Sequence, residues 1–167
     1  MQKNTYALWI VFQDEELEKV IKDLNDESFI VHAGIISIIT EPIESIKKKL
    51  SHLLNRNKPF KVTLEKLTHF DDNPGGVYFL LKQNNELKEF NYELKQNIKH
   101  KSKPYFIPTH LTITYRKLPL LEKKKIIKKY SYLEGKSYSI DSIYLVQTNG
   151  KPKEWKIIER YGFYGER

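Results

Sequence analysis

The chain has no cysteine among its 167 residues and a single methionine. The missing cysteine excludes disulfides, thiolate nucleophiles and cysteine-ligated zinc or iron–sulfur centres. No apolar run approaches the roughly 20 residues of a membrane-spanning helix, so no membrane partner is expected. Linkers, internal repeats and low-complexity tracts are also missing, so a single domain over residues 1–167 is expected. The opening Met1-Gln2-Lys3-Asn4 leads into a strand-like run too short and badly flanked for a signal peptide, and a cytoplasmic location is expected.

Charged residues make up 30% of the chain and aromatics 13%, which suits a folded globular protein. Acidic residues are outnumbered: 29 Lys and Arg against 21 Asp and Glu give a formal charge of +8. Such a balance favours polyanions, nucleic acid first. The abundance of Lys, Asn and Ile is also what genomic base composition can produce alone, and it accounts for the charge equally well.

Hydrophobic periodicity predicts strands over 6–12, 29–39, 60–69, 77–81, 107–115, 138–146 and 155–160. It predicts helices over 14–25, 42–54, 86–98 and 118–129. The first helix carries Leu17, Val20, Ile21 and Leu24 on one face. The second carries Ile43, Ile46, Leu50, Leu53 and Leu54, which leaves Lys47, Lys48 and Lys49 on a solvated face. The fourth is basic, with Leu120, Leu121, Ile126 and Ile127 as its apolar positions. Loops are expected at 71–76 and 101–104, and a turn at Asn149-Gly150-Lys151-Pro152. The order β-α-β-α-β-β-α-β-α-β-β indicates an α+β domain with helices packed outside mostly antiparallel sheets.

Two strand-borne histidines stand out. In Pro108-Thr109-His110-Leu111-Thr112-Ile113-Thr114-Tyr115, His110 and Thr112 are two residues apart and project from one face. In Val31-His32-Ala33-Gly34-Ile35, His32 and Gly34 share a face in the same way. The two strands occupy equivalent halves of the chain, which points to two lobes with a central cleft between them. Two imidazoles around one phosphate can divide the opening of a cyclic phosphate, one taking a proton from water and the other protonating the departing ribose oxygen. Thr112 is a donor for the charge that builds on the non-bridging oxygens.

The chain resembles the two-histidine (2H) phosphoesterases, whose motif is His-x-Thr/Ser-x, with x mostly apolar, occurring twice. His110-Leu111-Thr112-Ile113 matches it in full; His32-Ala33-Gly34-Ile35 has glycine in place of the hydroxyl residue. The opening Tyr6-Ala7-Leu8-Trp9 and Tyr115, five residues past His110, are similar to positions that border the pocket in the cyclic phosphodiesterase branch. The resemblance implies a two-lobed 2H phosphoesterase-like fold. It implies metal-independent hydrolysis of a 2',3'-cyclic phosphate on a nucleotide or RNA end. It implies catalytic roles for His32, His110 and Thr112, and substrate contacts for Trp9, Gly34 and Tyr115. No metal or cofactor is expected, and a monomer is. Two other readings stay open: cleavage of 2',5'-linked or cyclic oligonucleotides, and an RNA- or nucleotide-binding module without turnover.

Gly34 leaves room for a water, a backbone N–H or a bulkier ligand. Ser37 lies at an odd offset from His32 and points to the opposite face unless a bulge intervenes. Of the other histidines, His52 is expected exposed on a helix and His100 in a flexible basic loop. His69, near Asp71 and Asp72, has no third ligand placed for a metal.

Overall fold

The computed structural model describes residues 4–70, 76–102 and 108–164. The predicted loop residues 71–75 and 103–104, and the first residue of the predicted 107–115 strand, lie outside that range. Eight strands form one curled, mixed-order sheet: β1 (Tyr6–Val11), β2 (His32–Ile39), β3 (Phe60–His69), β4 (Val77–Leu81), β5 (His110–Thr114), β6 (Ser137–Ile140), β7 (Ser142–Gln147) and β8 (Lys156–Gly162). The helices among the described residues are α1 (Glu15–Leu24), α2 (Ile43–Leu53), α3 (Asn85–Asn97) and α4 (Leu120–Tyr130), with short 3-10 turns between elements.

The sheet order is β6-β3-β4-β5-β2-β1-β7-β8, and every neighbouring pair is antiparallel. It divides into two four-strand lobes, joined where β2 meets β5 around the pair Ala33–Leu111. The strand expected over 138–146 is two strands. Asp141 breaks the run, its carbonyl accepting the Phe163 amide at 2.7 Å, and the chain crosses from the edge of one lobe to the other. Only this residue separates β6 from β7, so the two ends of the sheet are drawn together and the sheet curls.

Local chemistry accounts for the helices. The Asp14 side chain caps α1 by accepting from the amides of Glu16 and Leu17 at 2.9 and 3.0 Å. Asn84 caps α3 through the Leu87 amide. Leu17, Val20 and Ile21 of α1, Ile46 and Leu50 of α2, and Leu87, Phe90 and Leu94 of α3 are buried as their spacing requires. In the lysine run, Lys47 pairs with Glu159 and Lys49 with the buried Glu41, while Lys48 is exposed. α4 departs from expectation. Leu120 and Leu121 are exposed, and Lys123 lies buried with Nζ donating to the Phe70 carbonyl at 2.8 Å. An aliphatic lysine stem covers apolar surface when its ammonium has an acceptor.

The two faces of β1 show what the sheet separates. Leu8 and Ile10 enter the main core under the helices; Ala7 and Trp9 join Tyr144 and Val146 in a smaller apolar cluster on the opposite face. That face floors the cleft. Gly76 is tightly placed beside β5, where a Cβ would lie 1.7 Å from the Thr114 carbonyl oxygen.

Candidate active site

A cleft of ≈ 1070 Å³ runs over the join between the lobes, and His32, Gly34, His110, Thr112, Trp9 and Tyr115 all line it. The Ala33–Leu111 pairing fixes their arrangement. In an antiparallel ladder it sets His32 beside Thr112 and Gly34 beside His110 on the same face. The two histidines therefore stand diagonally across the join. Each histidine donates Nδ1–H to the carbonyl of the residue two before it: His32 to Ile30 at 2.6 Å, and His110 to Pro108 at 3.0 Å. A carbonyl only accepts, so the proton of each neutral ring sits on Nδ1 and the lone pair on Nε2.

The two imidazoles differ in surroundings. His32 is buried and stacks on Trp9, with ring centroids 3.6 Å apart and planes 15° from parallel. Trp155 meets it edge-on at 5.6 Å and Phe29 at 6.4 Å. Burial pushes its pKa down to about 4; the Ile30 hydrogen bond opposes this, and the nearby His110 adds to it. His110 is half-buried, between Phe70 and Tyr78, and burial lowers its pKa too, against the hydrogen bond to Pro108.

Tyr115 ties the two motifs together. Its hydroxyl donates to His32 Nε2 at 3.3 Å, and the neighbouring Thr112 opposes the effect of burial on its pKa. The residue is 37% exposed overall, yet its hydroxyl end lies enclosed, and burial raises the phenol to about 12. It stays a neutral donor at any physiological pH. Gly34 has open space where a side chain would begin, with nothing within 4 Å of an ideal Cβ. The hydroxyl that position lacks would stand beside His110, so the His32 side holds the donors and the His110 side the opening.

Three features differ from the sequence reading. The register shifts between Leu8–Ile36 and Trp9–Gly34, a bulge at Ile35, and this turns Ser37 into the cleft. His100 is bridged to Ile39 and lines the cleft instead of lying in a free loop. Trp155, read only as the start of a strand, walls the His32 end. Its position at a strand boundary gave no periodic signal, though a tryptophan flanked by Glu154 and Lys156 is a visible cue. His52 is exposed as expected, and His69 donates locally toward the Phe70 carbonyl.

Among the described residues lining the cleft there is no carboxylate, while Lys95 and His100 add basic groups. No cluster of three or more His, Cys, Asp or Glu suited to a metal is assembled among the described residues. Nor is any of their helices long and apolar enough to cross a membrane.

Comparison with known proteins bears on this geometry. The model of the 2'-5' RNA ligase superfamily matches residues 17–152. The structure of TT0787 of Thermus thermophilus superposes with a TM-score of 0.63 at 14% identity, over 98% of this chain and 100% of that one. E. coli LigT complexed with NADP+ gives 0.61 at 14% identity, over 96% and 98%. Kluyveromyces marxianus Usb1 with uridine monophosphate gives 0.57 at 8% identity, over 96% and 97%. At such identities the likeness is one of fold. No curated protein matches the sequence.

Proposed function

Because the chain belongs to the 2'-5' RNA ligase superfamily of two-histidine phosphoesterases, we propose that it hydrolyses a 2',3'-cyclic phosphate on a nucleotide or RNA end without a metal. The observation that carries this reading is the matched pair of imidazoles, each held in the same tautomer and each presenting Nε2 to one cleft. The solved complexes of LigT with 3'-AMP and with phosphate, and of Usb1 with uridine monophosphate, support a nucleotide phosphate as the class of ligand.

Their unequal burial suggests a division of labour. His32, pushed down to about 4, is neutral at physiological pH and acts as the base. His110 is the more exposed and the easier to charge, and the anionic phosphodiester favours its protonation. His32 Nε2 takes a proton from water as the water oxygen bonds to phosphorus. The bond from phosphorus to one ribose oxygen breaks, and His110 delivers its proton to that oxygen, leaving a ribose monophosphate and a free hydroxyl. The Tyr115 hydroxyl, released from Nε2, and Thr112 donate to the non-bridging oxygens. Tyr115 thereby adds a second donor beside Thr112 on the His32 side.

The test is turnover of nucleoside 2',3'-cyclic phosphates by purified protein in EDTA, with 2',5'-oligoadenylate alongside. Product formation that survives chelation and is lost in His110→Ala supports the reading. Activity restored only by a divalent ion would overturn it, and binding without turnover of either substrate class would favour a binding module.

A further inference from the structure

Beyond the two histidines the cleft continues along β2 toward Ser37, past Gly34. Its walls there carry polar side chains: Asn91 and, one turn further on, Lys95 from α3, Ser37 from the bulged strand, and Ser102 and His100 from the segment after α3. Ser37 and Ser102 are joined hydroxyl to hydroxyl at 3.2 Å. Asn91 donates Nδ2–H to Thr109 Oγ1 at 2.8 Å, which fixes the amide directly beside the His110 strand. That bond leaves Asn91 Oδ1 buried with no hydrogen-bond partner among the described residues, and His100 Nδ1 is in the same condition. A buried acceptor without a donor costs stability, and few are tolerated without a purpose.

We propose that this polar half of the cleft is a nucleoside subsite, entered over Gly34, whose Asn91 Oδ1 accepts from the exocyclic amino group of a base. The proposal rests on the phosphate being seated between His32 and His110, and it names what lies next to that phosphate. From Gly34 to Ser37 is three strand residues, roughly 10 Å, which matches the reach from a ribose phosphate to the far edge of its base. Gly34 is the passage, since a side chain there would project between the phosphate seat and the recess. Bases are read by hydrogen bonds to their edges, and a site built around one such bond rejects the analogue that lacks it.

Cytidine and uridine 3'-monophosphates test the amino group, because they share ring size and differ only along one edge, amino against carbonyl at position 4 and a bare ring nitrogen against N–H at position 3. Calorimetric affinities need no turnover. The wild-type protein is expected to bind 3'-CMP at least about tenfold more tightly than 3'-UMP. Asn91→Leu should bring the ratio close to one. Asn91→Asp, which keeps the shape and strengthens the acceptor, should hold or increase it. Equal wild-type affinities, or a ratio unchanged in Asn91→Leu, would overturn the subsite. Discrimination in a protein that turns over no cyclic phosphate would leave the subsite standing and remove the catalytic reading. Turnover with all bases treated alike would do the reverse.

Discussion

The indole of Trp9 lies almost parallel to the imidazole of His32, 3.6 Å between ring centroids. Trp9 comes from the strand next to β2, where it pairs with Gly34, so the side chain that covers His32 also borders the opening beside His110. The stack seals one imidazole face from water. Trp9→Leu keeps the apolar floor but uncovers that face. The His32 pKa, followed by NMR titration of its ring protons, should rise by a unit or more from about 4 toward 6.5. An unchanged titration would mean that Trp9 is not what desolvates the ring.

The same depressed pKa makes stability depend on pH in a definite direction. An unfolded histidine titrates near 6.5, whereas native His32 stays neutral down to about 4. Between these values the unfolded chain binds more protons, so stability rises with pH and is lost as pH falls through this window. The loss attributable to His32 is on the order of 3 kcal/mol at pH 4. His110, with its lowered pKa, acts in the same direction in wild type and variant alike. Urea unfolding of the wild type and His32→Gln at pH 7 and pH 4.5 isolates the His32 share. The wild type should lose more stability than the variant.

The histidines should also fail together. His32→Ala and His110→Ala should each lower kcat on a cyclic phosphate by about 10²–10⁴-fold with little change in binding. The double variant should be little worse than either single. The kcat/KM profile should be bell-shaped and centred below 6.5, because both free-enzyme pKa values lie below the ordinary histidine value. Near-normal turnover by His32→Ala would remove His32 from the reaction.

Much of this arrangement is legible in the sequence because it depends on local periodicity. Alternation along β2 and β5 sets His32 with Gly34 and His110 with Thr112 on one face. What joins the two pairs is not local. The single Ala33–Leu111 register decides that Gly34 faces His110, and the bulge at Ile35 decides that Ser37 enters the cleft. A bulge adds one residue without any residue type that demands it, so alternation alone sends Ser37 the wrong way. His100 shows the same limit: its place depends on a bridge to Ile39, some sixty positions earlier. The break at Asp141 carries only a weak local signal, an Asp-Ser pair inside a run otherwise rich in aromatic and β-branched residues.

Gly34→Thr tests what the open position is for. Nothing lies within 4 Å of the added Cβ, and a β-branched residue suits a strand better than glycine, so stability should hold or rise by up to about 1 kcal/mol. If the glycine were only a lost hydroxyl, the threonine would restore a donor beside His110 and turnover of small cyclic nucleotides would increase. The open path from His110 toward Ser37 and Asn91 argues for the opposite result. The threonine should weaken binding of 3'-CMP by about tenfold or more while leaving binding of inorganic phosphate little changed, because only the nucleoside must cross position 34. Measured side by side in the wild type and the variant, the two affinities separate these cases. Parallel loss of both would point to damage at the phosphate seat, and a gain in nucleotide turnover would show that Gly34 is a missing donor and not a doorway.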